Sequence, residues 1–116
     1  MVVKTFRVRK YKLTLGYKGR ATYNGVAIRI RGIITCYDSN YDYRFIIYFL
    51  TEDSPVPDPV YIVQNKAGAI FLPFKEIMPY IDMVRNEKPI YAYLNSDAPE
   101  SNCIRTSKEP VGEEET

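Results

Sequence analysis

From Val26 onward apolar and polar positions alternate: Val26, Ile28 and Ile30 point one way, Arg29 and Arg31 the other. A period of two built on β-branched residues predicts a half-buried strand. Gly32 interrupts the alternation, and Ile33, Ile34, Thr35 and Cys36 continue it. A glycine there suits a bulge or bend in a long strand. With parity kept through the bend, Ile34 and Cys36 share the face of Ile28 and Ile30. Asp38-Ser39-Asn40 is turn chemistry, because short polar side chains cap the backbone locally. In the run that follows, Tyr43, Phe45, Ile47 and Phe49 share one face, and Ile46 and Leu50 lie on the other. Apolar residues on both sides predict a central strand. Residues 26–37 and 41–50 therefore read as a hairpin.

The N-terminal run is less regular. Phe6 and Val8 stand at even positions, Tyr11, Leu13 and Leu15 at odd ones. One extra residue near Arg9-Lys10, a β-bulge, brings all five to one face. Gly16-Tyr17-Lys18-Gly19 reads as a turn into Arg20–Tyr23, and Asn24-Gly25 as a second turn. Pro55, Pro57 and Pro59 make 51–59 an extended loop. Segments 60–64 and 69–72 predict a further hairpin around Asn65–Gly68. Phe74, Ile77, Ile81 and Val84 recur at helical spacing, giving one helix over about 74–86 with its main body from Met78. Ile90–Leu94 reads as the last strand.

The predicted fold is α+β: a strongly bent, mainly antiparallel sheet or partly open barrel of about six strands, with the single helix between the fifth and the last. The 116 residues, 46% of them apolar, fit one globular domain over 1–94. Residues 95–116, with Pro99, Pro110 and Glu113-Glu114-Glu115, read as an extended or disordered acidic tail. No apolar run is long enough to cross a bilayer, and the start of the chain has no apolar signal-like region. With two cysteines and no disulfide framework, the expectation is a cytoplasmic, reduced protein.

Catalytic equipment is sparse. The chain has no histidine, the commonest general base and metal ligand. Cys36 falls on an apolar strand face, where a small buried hydrophobe is the ordinary reading. Cys103 lies in the loose tail, and Glu52, Asp53 and Asp58 around the proline loop are ordinary solvated acids. Ser54 has no triad partner. Gly16-Tyr17-Lys18-Gly19 joins strands, so it matches neither a phosphate loop nor the helix-joining Gly-x-x-Gly of KH domains. No enzymatic activity, cofactor or metal is expected.

Charge adds the most. Residues 1–50 hold ten Lys/Arg and two acids, a net +8, while residues 51–116 hold six and twelve, a net −6. The first 37 residues carry nine basic side chains and no acid. Arg29 and Arg31 share one strand face, Arg7, Arg9, Lys10 and Lys12 lie on the neighbouring segment, and Tyr11, Tyr17 and Tyr23 stand between basic residues. Cations that neutralise phosphates, interleaved with rings that stack on bases, are what single-stranded nucleic acid requires. That is the predicted partner, with Arg7, Arg9, Lys10, Lys12, Arg29 and Arg31 as phosphate contacts and Tyr11, Tyr17 and Tyr23 as stacking rings. The alternative is a protein-interaction or homo-oligomeric module, because one helix covers only part of the sheet.

Overall fold

In the computed structural model, which describes residues 1–107, the hairpin at the centre of the chain is formed as its alternation requires. Strand β3 (Val26–Tyr37) pairs antiparallel with β4 (Arg44–Leu50), and the Asp38 carboxylate accepts the Asp42 amide in the turn (2.9 Å). On β4, Phe45, Ile47 and Phe49 are buried in the main core, and Ile46, Tyr48 and Leu50 belong to a second cluster on the other face. The strand is apolar on both sides because it is the middle strand of five.

Strand β2 (Lys10–Tyr23) pairs with β3 through a turn at Asn24 and Gly25, whose φ angles of 50° and 77° are those of a type I′ turn. Strand β5 (Val60–Ile62) pairs antiparallel with β6 (Ala67–Pro73), and β6 lies parallel to β4, giving the order β2-β3-β4-β6-β5. A three-stranded sheet, β1-β7-β8, is formed by Val3–Arg7, Ile90–Asn95 and Cys103–Thr106. Helix α1 (Ile77–Asn86), preceded by a 3-10 turn at Phe74–Glu76, buries Ile77, Ile81 and Val84. Pro79 is tolerated at its third position, where the amide has no intrahelical acceptor. Phe6, Ile90, Ala92 and Leu94 meet Ile34, Phe45, Ile47, Phe49 and Ile70 in the core, with the helix residues beside them.

The α+β class holds, with five differences. The strands form two sheets, eight strands in all among the described residues, not closed into a barrel, and the helix lies between β6 and β7. The irregularity near Arg9 is no bulge: the Val8 amide donates to Ile90 of β7 (2.8 Å) and the Arg9 amide to Tyr37 of β3 (2.9 Å), so the chain changes sheet between them. Gly16–Gly19 is no turn either. Leu15 pairs with Gly32 and Gly19 with Ile30, so both arms stay on β3 and the surplus residues bulge outward.

The Gly32 bulge exists, but it reverses parity. Ile30 pairs with Leu50 and Gly32 with Phe49, leaving Arg31 without an opposite residue on β4. One extra residue turns later side chains to the other face. Ile28 and Ile30 therefore pack with Leu50 and Phe71, and Ile34 and Cys36 with Phe45 and Ile47 across the sheet.

The expected tail begins folded. Asn95 and Asn102 are buried, and the Asn102 side chain accepts the Asn95 amide (2.9 Å) and donates to the Val60 carbonyl (3.0 Å). These side-chain bonds hold 95–102 against the sheets, and β8 follows on β7. The remainder of that segment, 108–116 with its glutamates, lies outside the described residues. Among the described residues no helix is long and apolar enough to cross a membrane.

Candidate nucleic-acid interface

The change of sheet at Val8–Arg9 places successive basic residues of the N-terminal run around one corner. Arg7 ends β1, Arg9 bridges, and Lys10 opens β2. The C-terminal end of α1 arrives beside them. Arg7, Arg9, Lys10, Arg85 and Lys88 line a single recess of about 290 Å³ with Tyr11 and one acid, Glu87. The ion pairs among the described residues are Met1–Asp97 and Arg29–Asp53, so none of these five cations is paired with a described residue. Arg85 and Lys88 also suit the carbonyl end of the helix, where cations are favoured.

From the recess a row of side chains runs across the outer face of each sheet. On the five-stranded sheet, Lys10 stands opposite Tyr37 and Tyr37 opposite Arg44. The Lys10 ammonium lies over the Tyr41 ring at 4.5 Å, and Tyr41 meets Tyr37 edge-on at 5.2 Å. On the three-stranded sheet, Arg7 stands opposite Tyr91 and Tyr91 opposite Arg105, whose guanidinium covers Tyr93 at 4.7 Å. Directly opposed residues share a face. Each row is thus cation, tyrosine, cation. Asp38 and Asp42, in the turn that carries Tyr41, are the nearest acids along the chain.

Of the expected site residues, Arg7, Arg9, Lys10 and Tyr11 come together in the recess, and Lys12 follows Lys10 on the same face of β2. Tyr11 is 40% exposed. Tyr17 sits in the β2 irregularity with its ring against Gly19, where a β-carbon would overlap it. Tyr23 is built into an aromatic group: its hydroxyl bonds that of Tyr48 (2.7 Å), and its ring meets Phe71 edge-on. Tyr48 stacks on Phe71, and burial, then the Tyr23 hydrogen bond, raises its phenol above the ordinary range.

Arg29 and Arg31 come together away from the corner, both lining a shallow recess of about 260 Å³ with Lys18 and Arg20, but their settings differ. Arg29 lies eight residues along β3 from Tyr37, about 25 Å at strand rise, and its Nη1 donates to Asp53 Oδ2 (2.7 Å). Arg31, displaced by the bulge, is half-buried with its guanidinium over the Phe74 ring. Asp53 accepts from Thr51 (2.6 Å) as well; that bond first, and then Arg29, hold its carboxyl below the ordinary value. Ser54 Oγ accepts the Arg29 amide and donates to the Pro55 carbonyl. Burial pushes the Cys36 thiol up to about 12.

The sequence reading missed Arg85 and Lys88, which lie in the acid-rich half and read as ordinary residues of a helix end. Arg44 and Tyr41 were likewise not singled out, and Tyr37 was placed only on the face of Arg29 and Arg31. The predicted strand order of the hairpin would have placed Tyr37 and Arg44 together, but only the pairing of Lys10 with Tyr37 brings them to the basic run. No protein-family model, curated protein or solved structure matches the chain.

Proposed function

We propose that the protein is a non-enzymatic binding module for single-stranded nucleic acid, with phosphates held at the corner where Arg7, Arg9 and Lys10 meet Arg85 and Lys88. The convergence on one recess of these cations, which form no ion pair among the described residues, carries the reading. Each cation neutralises phosphate charge and releases counterions. Tyr11 within the recess, and Tyr41, 55% exposed beside Lys10, offer ring faces to unstacked bases, at roughly 1–3 kcal/mol per stacked base. Lys12 extends the track along β2. A cytoplasmic setting accords with the free thiols of Cys36 and Cys103.

The test is titration of labelled single-stranded DNA and RNA dodecamers at about 50 and about 200 mM salt. Five phosphate contacts give a log–log salt slope of roughly −3.5 on a single strand. Arg9→Glu/Arg85→Glu lowers affinity more than about tenfold, and Arg29→Gln, far from the corner, leaves it nearly unchanged. Absence of binding at low salt, or equal loss in both variants, rejects the reading. A second reading rests on the outer face of the five-stranded sheet, where Ile33, Ile46 and Tyr48 are only half-buried: a second copy covers it. Sedimentation at high concentration decides that one, because a strict monomer excludes it.

A further inference from the structure

A recess of about 640 Å³ lies at the other end of the five-stranded sheet from the basic corner. Its position follows from topology. Strands β4 and β6 run parallel and end side by side, Leu50 against Pro73. The chain leaves β4 into the proline loop and β6 into the 3-10 turn before α1, and these diverging exits open a crevice. Crevices beyond the carboxyl ends of parallel strands are where open sheets hold ligands. The volume falls in the usual range for small-molecule sites.

Leu50, Val56, Pro73 and Phe74 supply apolar walls. The charged lining groups are Arg31, Lys75 and Glu52. Thr51 and Ser54 also line it, but their hydroxyls are spent on Asp53 and the Pro55 carbonyl. Arg31 is the residue without a β4 partner in the bulge, and its guanidinium is fixed 5.9 Å from the Phe74 ring centre. Its Nε is buried and has no hydrogen-bond partner, and it enters no ion pair among the described residues. A buried donor on a charged group is costly to leave unmade. A carboxylate in the crevice meets the accessible edge of the half-buried guanidinium and fits its planar fork in two-point fashion. Arg31 and Lys75 against Glu52 leave one net positive charge, which suits a monoanion and disfavours a dianion.

We propose that this recess binds a small monocarboxylate with a flat apolar body, the carboxylate on Arg31 and the body against Phe74, Leu50 and Val56. The site is separate from the basic corner, and its occupancy does not depend on nucleic-acid binding. The test uses 2-naphthoate as probe, titrated into the nitrogen-15-labelled full chain, with uncharged 2-naphthalenemethanol as control. Naphthoate shifts the Arg31 Nε–H signal and the amides of Val56, Phe74 and Lys75, and binds at least about tenfold more tightly than the alcohol. Arg31→Met removes that preference while leaving alcohol binding within about twofold. Val56→Trp, at a position 61% exposed and so harmless to the fold, fills the recess and abolishes binding of both. If Arg31→Met does not fold, the Val56→Trp variant and the alcohol still decide. Equal affinity for acid and alcohol, shifts that map to Arg9 and Arg85 instead, or no shift at millimolar probe overturns the proposal.

Discussion

Val8 and Arg9 are consecutive, yet their amides serve different sheets, Val8 bonding Ile90 at 2.8 Å and Arg9 bonding Tyr37 at 2.9 Å. This pair of bonds is the hinge of the architecture. It ends β1, starts β2, and sets Arg7 and Lys10 on either side of the basic recess. Arg9→Pro removes one of the two donors. It lowers stability by about 1 kcal/mol or more, as loss of a backbone bond to an unpartnered carbonyl should. It also weakens nucleic-acid binding beyond the effect of Arg9→Ala. Arg9→Ala keeps the amide and changes stability by less than about 0.5 kcal/mol. Denaturant midpoints and the binding titration on both variants check this.

The hinge also shows what can be read from the chain alone. The mismatch in parity between Phe6-Val8 and Leu13-Leu15 is visible in the sequence, and it does mark an irregularity. A bulge and a change of sheet produce the same mismatch, and only the partner, β7 some eighty residues later, distinguishes them. The Gly32 bulge was signalled by the glycine that interrupts the alternation, but whether parity survives it depends on whether β4 carries a matching extra residue. The alternation and length of β3, the two-sided apolar character of β4, the Asn24-Gly25 turn and the helix over 74–86 are local properties, and they were legible. The corner site was half legible: Arg7, Arg9, Lys10 and Tyr11 share one segment, whereas Arg85 and Lys88 reach them only through the packing of the helix. Strand β8 was hidden because Asn95 and Asn102, which look like loop residues, tie that segment in through buried amide bonds.

At Gly68 of β6 the five-stranded sheet packs tightly against Leu94 of β7. A β-carbon built there would overlap Leu94 Cδ2, and it would also sit 3.3 Å from the Val60 carbonyl oxygen. Leu94 is fully buried and has nowhere to move. Gly68→Ala therefore destabilises by roughly 1–3 kcal/mol through overpacking. Leu94→Ala alone opens a cavity at a cost of roughly 2–5 kcal/mol. The two together cost less than their sum, since the added methyl enters the space the leucine leaves. Additive losses in the double-mutant cycle would contradict the contact.

Tyr48 holds its proton for two reasons, burial first and the Tyr23 hydroxyl second. In Tyr23→Phe the second reason is gone and the first remains. The Tyr48 phenol then titrates lower than in the parent protein, yet still above an ordinary tyrosine. Spectrophotometric titration of tyrosinate, assigned with Tyr48→Phe, gives the order. Loss of the shared hydrogen bond costs roughly 0.5–1.5 kcal/mol at neutral pH. The folded phenol is the more strongly protonated, so the stability tied to Tyr48 declines as pH rises through and beyond the ordinary tyrosine range.

Cys36 lies at zero exposure between Tyr11 on β2 and Phe45 on β4, and burial alone raises its thiol from 9.0 to about 12. The unfolded thiol ionises first. Between about pH 9 and about pH 12 the folded state binds more protons than the unfolded, so stability falls as pH rises across that window. It is unaffected by this group below it. The slope approaches about 1.4 kcal/mol per pH unit for one proton. Cys36→Ala loses packing at neutral pH but has no thiol to ionise. The gap in denaturant midpoint between the parent and the variant therefore narrows from pH 8 to pH 11 and can reverse, whereas the tyrosines titrate alike in both. Thiol labelling gives an independent check at pH 8: the half-buried Cys103 reacts in the folded protein, and Cys36 reacts only at the rate of unfolding. A constant gap across the window, or rapid labelling of both thiols, would show that Cys36 is not sealed in the core.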